Sequence, residues 1–172
     1  MQRNVIYQGK ILTLVTLDNR WEVVEHADAI CVLALRGDEV LGVRQHRPAI
    51  GRDTWELPAG LLGPGETPIE AARRELAEEA QLTGTLTLLT QSYTSPGFCQ
   101  EKLYLFEATE LSATSGRPDD GEEVTVEWRK LRKTWHEIAC GILATSAPTT
   151  LGLAIALARR GGYERPVQPR GA

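Results

Sequence analysis

The chain has 172 residues, 42% of them hydrophobic and 24% charged, a composition that suits one globular domain with an ordinary buried core. A formal net charge of −4 and a pI near 5.5 exclude a nucleic-acid groove that works by broad phosphate neutralisation, so any phosphate binding is local. Cys31, Cys99 and Cys140 are odd in number, widely spaced and set among apolar residues. They read as buried free thiols rather than as a disulfide framework or a zinc site.

The opening "MQRNVIYQGKILTLVT" lacks an apolar signal core, and "LGLAIALA" near the C-terminus is too short to span a bilayer. A cytoplasmic protein with no membrane or nucleic-acid partner is expected. Next, "KILTLVTLDNRWEVVEHADA" alternates apolar and polar residues around "DN", the pattern of an antiparallel hairpin. Trp21 in this region reads as strand packing or as a stacking surface. "AICVLALRGDEVLGVRQ" is a second hairpin, with "RGDE" as its turn. Further strands are expected at 85–92, 102–109 and 123–130, and helices at 132–140 and 149–160, the latter halted by Gly161 and Gly162. The last ten residues read as a tail.

The best-signposted element is a helix opened by "TPIE". Thr67 is its N-cap, Pro68 its first residue and Glu70 the third residue after the cap, which together make a capping box. Ile69, Ala72, Leu76 and Ala80 supply an apolar stripe, so the acidic residues are expected to face away from the core, with Glu75 and Glu79 on an exposed edge. Arg74 lies four residues from both Glu70 and Glu78 and can pair with either. Glu75 faces both Glu78 and Glu79, and like charges at that spacing cost about 0.2–0.5 kcal/mol per pair. This is either a solvated charged face or a set of hard oxygen ligands. The preceding "WELPAGLLGPGE" runs from a short strand into a loop with three glycines and two prolines, and such a loop presents backbone groups. A divalent cation such as Mg²⁺ binds one or two carboxylates together with substrate phosphates, and would cancel the repulsion.

Residues 60–82, "GLLGPGETPIEAARRELAEEAQL", resemble the Nudix box, G-x5-E-x7-R-E-U-x-E-E-x-G-U with U aliphatic. Gly60, Glu66, Arg74, Glu75, Leu76, Glu78, Glu79 and Leu82 match. Gln81 stands where the pattern has Gly, and Gly84 is expected to serve as a delayed C-cap. Outside the box, "RQHRPAIG" at 44–51 and "SPGFCQEKLYLF" at 95–106 resemble the ADP-ribose pyrophosphatase branch of the Nudix hydrolases.

The resemblance implies a Nudix α/β/α sandwich with a mixed sheet at 29–162. An N-terminal antiparallel β region at 1–28 precedes it, serving homodimerisation, and a tail at 163–172 follows. It implies metal-dependent attack of water on a nucleoside diphosphate-sugar, ADP-ribose first, giving AMP and ribose 5-phosphate. Other nucleoside diphosphate derivatives, namely GDP-sugars, dinucleotides and oxidised nucleotides, are the alternative substrates, and a non-catalytic sensor is the alternative class. On the matching positions, Glu75 and Glu79 with the Ala59 carbonyl would hold Mg²⁺ or Mn²⁺. Glu78 would be a ligand or an orienting group, and Glu66 would support the loop.

In "RPDDGEEVTVEW" the acidic run is either a solvated turn or, as the resemblance to this branch implies, the source of a general base, for which Glu122 is the matching choice and Glu123 its neighbour. Arg44 and Arg47 present planar forks suited to phosphate oxygens. Pro96 and Gly97 make a rigid turn beside the sugar-phosphate site, and Phe98 is either core or a base-stacking surface. Glu101 is a weaker candidate for a metal or ribose contact.

Overall fold

The computed structural model describes residues 1–116 and 124–161. Strands β1 (Arg3–Gln8), β2 (Leu12–Leu17) and β3 (Trp21–His26) form a separate three-stranded antiparallel sheet in the order β1-β2-β3. Its β2–β3 turn places Asp18 and Asn19 at φ of 53° and 51°, a left-handed conformation that short polar side chains tolerate better than most.

The second sheet starts at residue 29, after the two-residue passage 27–28. It contains β4 (Ala29–Arg36), β5 (Glu39–Arg47), β6 (Arg52–Glu56), β7 (Ala59–Leu61), β8 (Leu82–Tyr93), β9 (Lys102–Ala113) and β10 (Thr125–Lys130). The order is β10-β5-β4-β9-β8, with β6 on β5 and β7 on β4. Strand β4 pairs in parallel with β9 while the other pairings are antiparallel, so the sheet is mixed. The three helices are α1 (Pro68–Ala80), α2 (Leu131–Ala139) and α3 (Ala147–Arg159).

Alternation along β4 explains the layering. Cys31 and Leu33 point to one face, where they join Trp55, Leu57, Leu131, Leu153 and Leu157 beneath α2 and α3. Ile30, Val32 and Ala34 point to the other, against Ala71, Ala72, Leu76 and Ala80 of α1. A strand covered on both faces needs an unbroken apolar run, and "ICVLA" is inaccessible throughout. Burying a side chain such as Leu76 contributes about 1.5–3 kcal/mol. The result is the expected α/β/α sandwich. No helix among the described residues is long and apolar enough to cross a membrane.

Several local expectations need correction. In α1 the buried stripe is Ala71, Ala72, Leu76 and Ala80, whereas Ile69 is exposed. The helix is therefore rotated relative to the expected stripe, and Glu75 and Glu79 are buried rather than on an exposed edge. Gly84 is not a delayed C-cap. Gln81 itself takes the left-handed cap conformation, at φ 55° and ψ 37°, and β8 begins at the next residue with Gly84 inside it. A Cβ on Gly84 would lie 2.4 Å from the Thr109 carbonyl oxygen, so close strand pairing explains that glycine. Helix α3 starts two residues early because Ser146 caps it, accepting from the Thr149 N–H at 3.4 Å. All three cysteines are free, but only Cys31 is fully buried, since Cys99 and Cys140 are partly accessible. Gly162 and the expected tail 163–172 lie outside the described residues.

Candidate active site

Helix α1 begins rigidly. Glu70 accepts from the Thr67 backbone N–H at 2.9 Å and from the Thr67 hydroxyl at 2.5 Å, with Pro68 in the first turn. Because Leu76 and Ala80 are fixed against the sheet, the edge bearing Glu75, Glu78 and Glu79 is held over β7. That strand is held in turn by its pairing with β4, which sets Gly60 opposite Ile30. A Cβ on Gly60 would sit 1.8 Å from Glu75 Oε1. Glycine here is thus a space requirement of the Glu75 carboxylate. Glu79 accepts from the Ala59 N–H at 3.0 Å.

Arg74 does not pair with Glu70, whose carboxylate is used in the cap. Its guanidinium donates to Glu66 twice at 3.0 Å, to Glu75 at 2.7 Å, to Glu78 at 3.0 Å and to the Leu61 carbonyl at 3.0 Å. Hydrogen bonding to Glu66 and these further carboxylates holds Arg74 firmly in its charged form, and the same bond draws Glu66 below the usual carboxylate range. Glu66 also accepts from the Gly63 N–H at 2.9 Å, which ties down the loop before α1. The repulsion among the glutamates is therefore offset within the chain by one arginine.

Among the described residues no three His, Cys, Asp or Glu side chains form a metal-ligand cluster. The donor set still suits a hard divalent cation. Glu75, Glu78 and Glu79 are carboxylates along one helix edge, they line one cleft, and a side chain at Gly60 would fill the space beside them.

That cleft has a volume of about 1230 Å³, and β5 and β6 also contribute to its lining. Arg44 and Arg47 are three positions apart on β5, so strand alternation sends them to opposite faces. Arg47 and Gln45 line the cleft; Arg44 instead donates to Glu127 of β10 at 3.3 Å. Pro96, Gly97 and Phe98 do not line it either. The Phe98 ring is neither core nor cleft wall, being 56% exposed, and its carbonyl accepts from Val24 of the N-terminal sheet at 2.7 Å. Glu101 is in the cleft, where it accepts from Thr94 at 2.6 Å and lies 3.4 Å from His26. Glu122, the expected base, and Glu123 lie outside the described residues.

One cleft residue escaped the sequence reading. Glu56 is 4% exposed and faces Arg47, accepting from its Nε and Nη2 at 3.0 Å each and from the Thr54 hydroxyl at 2.6 Å. Burial pushes this carboxyl upward, but the bonds from Arg47 and Thr54 bring it below its ordinary value. An unpaired carboxylate at this depth would cost several kcal/mol. The only sequence signal was a charged residue between Trp55 and Leu57 in an otherwise apolar run.

Comparison with known proteins shows the family and the fold. The NUDIX domain family profile matches residues 25–140. An ADP-ribose pyrophosphatase of Bacillus subtilis is 37% identical over 132 residues, 71% of each chain. One from Mycobacterium tuberculosis is 36% identical over 145 residues, 75% of this chain and 70% of that protein. A solved structure of an ADP compounds hydrolase aligns over 94% of both chains with a TM-score of 0.76 at 19% identity, which shows the shared fold. A match across more than half of the chain includes the helix whose glutamates line the cleft and the strand that carries Arg47, and on that ground this protein belongs to the Nudix family of hydrolases.

Proposed function

We propose that this chain hydrolyses the diphosphate of ADP-ribose by attack of water, releasing AMP and ribose 5-phosphate. The observation that carries the reading is one cleft lined by both the carboxylates of Glu75, Glu78 and Glu79 and the Arg47 side chain. The names borne by the Bacillus subtilis and Mycobacterium tuberculosis relatives support the substrate. Nudix hydrolases generally use divalent metal ions. Here Glu75, Glu78, Glu79 and the Ala59 carbonyl would hold Mg²⁺ or Mn²⁺, which when bound supplies neutralisation of charge on the breaking diphosphate.

Arg47 grips diphosphate oxygens with its planar fork, while Gly60 leaves the space that keeps the Glu75 carboxylate in place. Glu122 takes the proton of the attacking water. Glu122→Gln should then lower kcat about 10²–10⁴-fold with little change in metal affinity, and an unaffected rate would move the role to Glu123 or to the helix. We further infer a homodimer formed through the N-terminal sheet, whose exposed apolar residues and open strand edge need a cover.

The deciding measurement is kcat/KM for ADP-ribose against ADP-glucose, GDP-mannose, NADH and 8-oxo-dGTP under one metal, with and without chelator. ADP-ribose should lead. A rival ahead by about tenfold, roughly 1.4 kcal/mol in transition-state binding, would replace the substrate and leave the hydrolase standing. No turnover of any of them would favour a sensor.

A further inference from the structure

We infer that Glu56 is a positioning residue for the substrate diphosphate, acting through Arg47 and anchored by Thr54. This rests on the proposed function in one respect, that Arg47 meets the diphosphate.

The geometry is that of a locked guanidinium. Arg47 sits at the solvent end of β5, where a long side chain ordinarily samples many rotamers and loses that freedom on binding. Two parallel N–H bonds to Glu56, both 3.0 Å, instead fix the plane of the fork, and the Arg47 side chain remains 44% exposed at the cleft. A bidentate pair of this kind specifies orientation as well as charge, which a lysine at 47 would not do.

Glu56 is itself fixed from behind. The Thr54 hydroxyl donates to its Oε1 at 2.6 Å. Ser146 is the N-cap of α3, lies 3.0 Å from the Thr149 hydroxyl, and Thr149 accepts from the Leu57 N–H at 3.0 Å. The backbone on either side of Glu56 is thus tied to the start of a helix packed on the opposite side of the sheet from α1, Leu57 through Thr149 and the Trp55 carbonyl through the Thr145 hydroxyl at 2.6 Å. The carboxylate also offsets the charge of Arg47 before substrate arrives, so the arginine is presented already oriented.

The test is a mutant cycle on full-length protein with ADP-ribose and Mg²⁺. Glu56→Gln keeps the volume but removes the charge and replaces one of the two accepting oxygens by an N–H donor. Its KM should rise about tenfold with kcat changed less than about threefold. In an Arg47→Lys background the same substitution should add less than about twofold, because the fork it orients is gone. Additive effects in the cycle, or an unchanged KM in a folded Glu56→Gln protein, would overturn the inference.

Should Glu56→Gln fail to fold, Thr54→Val removes one anchor and should raise KM about threefold, again only with Arg47 present. An unchanged KM there would count equally against the inference. If the parent protein turns over no ADP-ribose, the functional reading falls, and calorimetric binding of inorganic pyrophosphate with Mg²⁺ decides this inference separately. A tenfold loss of affinity in Glu56→Gln that disappears with Arg47→Lys supports it; undiminished affinity, or no binding by the parent, overturns it.

Discussion

The N-terminal sheet and the sandwich behind it differ in what they bury. In the sandwich, Ile30 to Ala34 of β4 are inaccessible and both faces are covered by helices. In β1–β3, Val15 is the fully buried hydrophobic residue, while Val5, Ile6, Tyr7 and Trp21, with Ile11 in the turn before β2, are all exposed. The sheet is joined to the body through the 95–100 loop, where Val24 donates to the Phe98 carbonyl and accepts from the Gln100 N–H at 3.2 Å. A three-stranded sheet with so little covered face is marginal alone. The sandwich is self-sufficient as a core and carries the cleft; the sheet has its apolar surface left to spend on contact with another surface.

The largest expected difference between the two regions is in stability. Leu76→Ala opens a cavity under α1 and should cost about 2–5 kcal/mol in urea denaturation, whereas Ile6→Ala, exposed in the single chain, should cost under about 0.5 kcal/mol. Equal costs would mean that the sheet is as deeply packed in solution as the body.

Catalysis sharpens the contrast next. Glu79→Gln keeps size and helix propensity but removes a charged hard donor, so kcat should fall about 10²-fold or more, near 2.7 kcal/mol, with folding retained. Near-normal turnover at equal metal concentration would remove the helix edge from the site. No such loss is expected from changes in β1.

Assembly follows in size. In the homodimer proposed through the N-terminal sheet, Trp21→Ala should raise the dissociation constant about tenfold, roughly 1.4 kcal/mol, the scale of an aromatic interface residue. Light scattering that gives a monomer mass for the parent protein across micromolar concentrations would contradict the dimer and leave the sheet without an assigned cover.

The smallest effect returns to the body. Gln81 occupies a left-handed position that costs a non-glycine residue about 1–2 kcal/mol, partly offset by the greater unfolded-state freedom of glycine. Gln81→Gly should stabilise by up to about 1 kcal/mol, read as a higher urea midpoint at constant slope. A lower midpoint would show that the Gln81 side chain contributes more than its backbone strain removes.

What the sequence determined by itself were the features written at short range: the Thr67–Glu70 capping box, the hairpin turn at Gly37, the three glutamates spaced along one helix and the mixed α/β/α architecture implied by the family pattern. These depend on offsets of one to four residues or on a fixed motif, and local geometry suffices to read them. Tertiary structure decided the rest. Whether Ile69 or Ala71 faced the sheet depended on how α1 rotates against β4, and that rotation took Glu75 and Glu79 from an exposed edge into the cleft wall. Gln81 and Gly84 exchanged their expected roles because β8 pairs with β9 at once, leaving no room for a later cap. Arg44 and Arg47 looked equivalent in "RQHR" until strand alternation and the pairing of β5 with β6 and β10 gave one to the cleft and the other to Glu127. Glu56 carried only the weak signal of a charge between Trp55 and Leu57, since its worth comes from Arg47 nine residues earlier, a partner that meets it only when β5 pairs with β6.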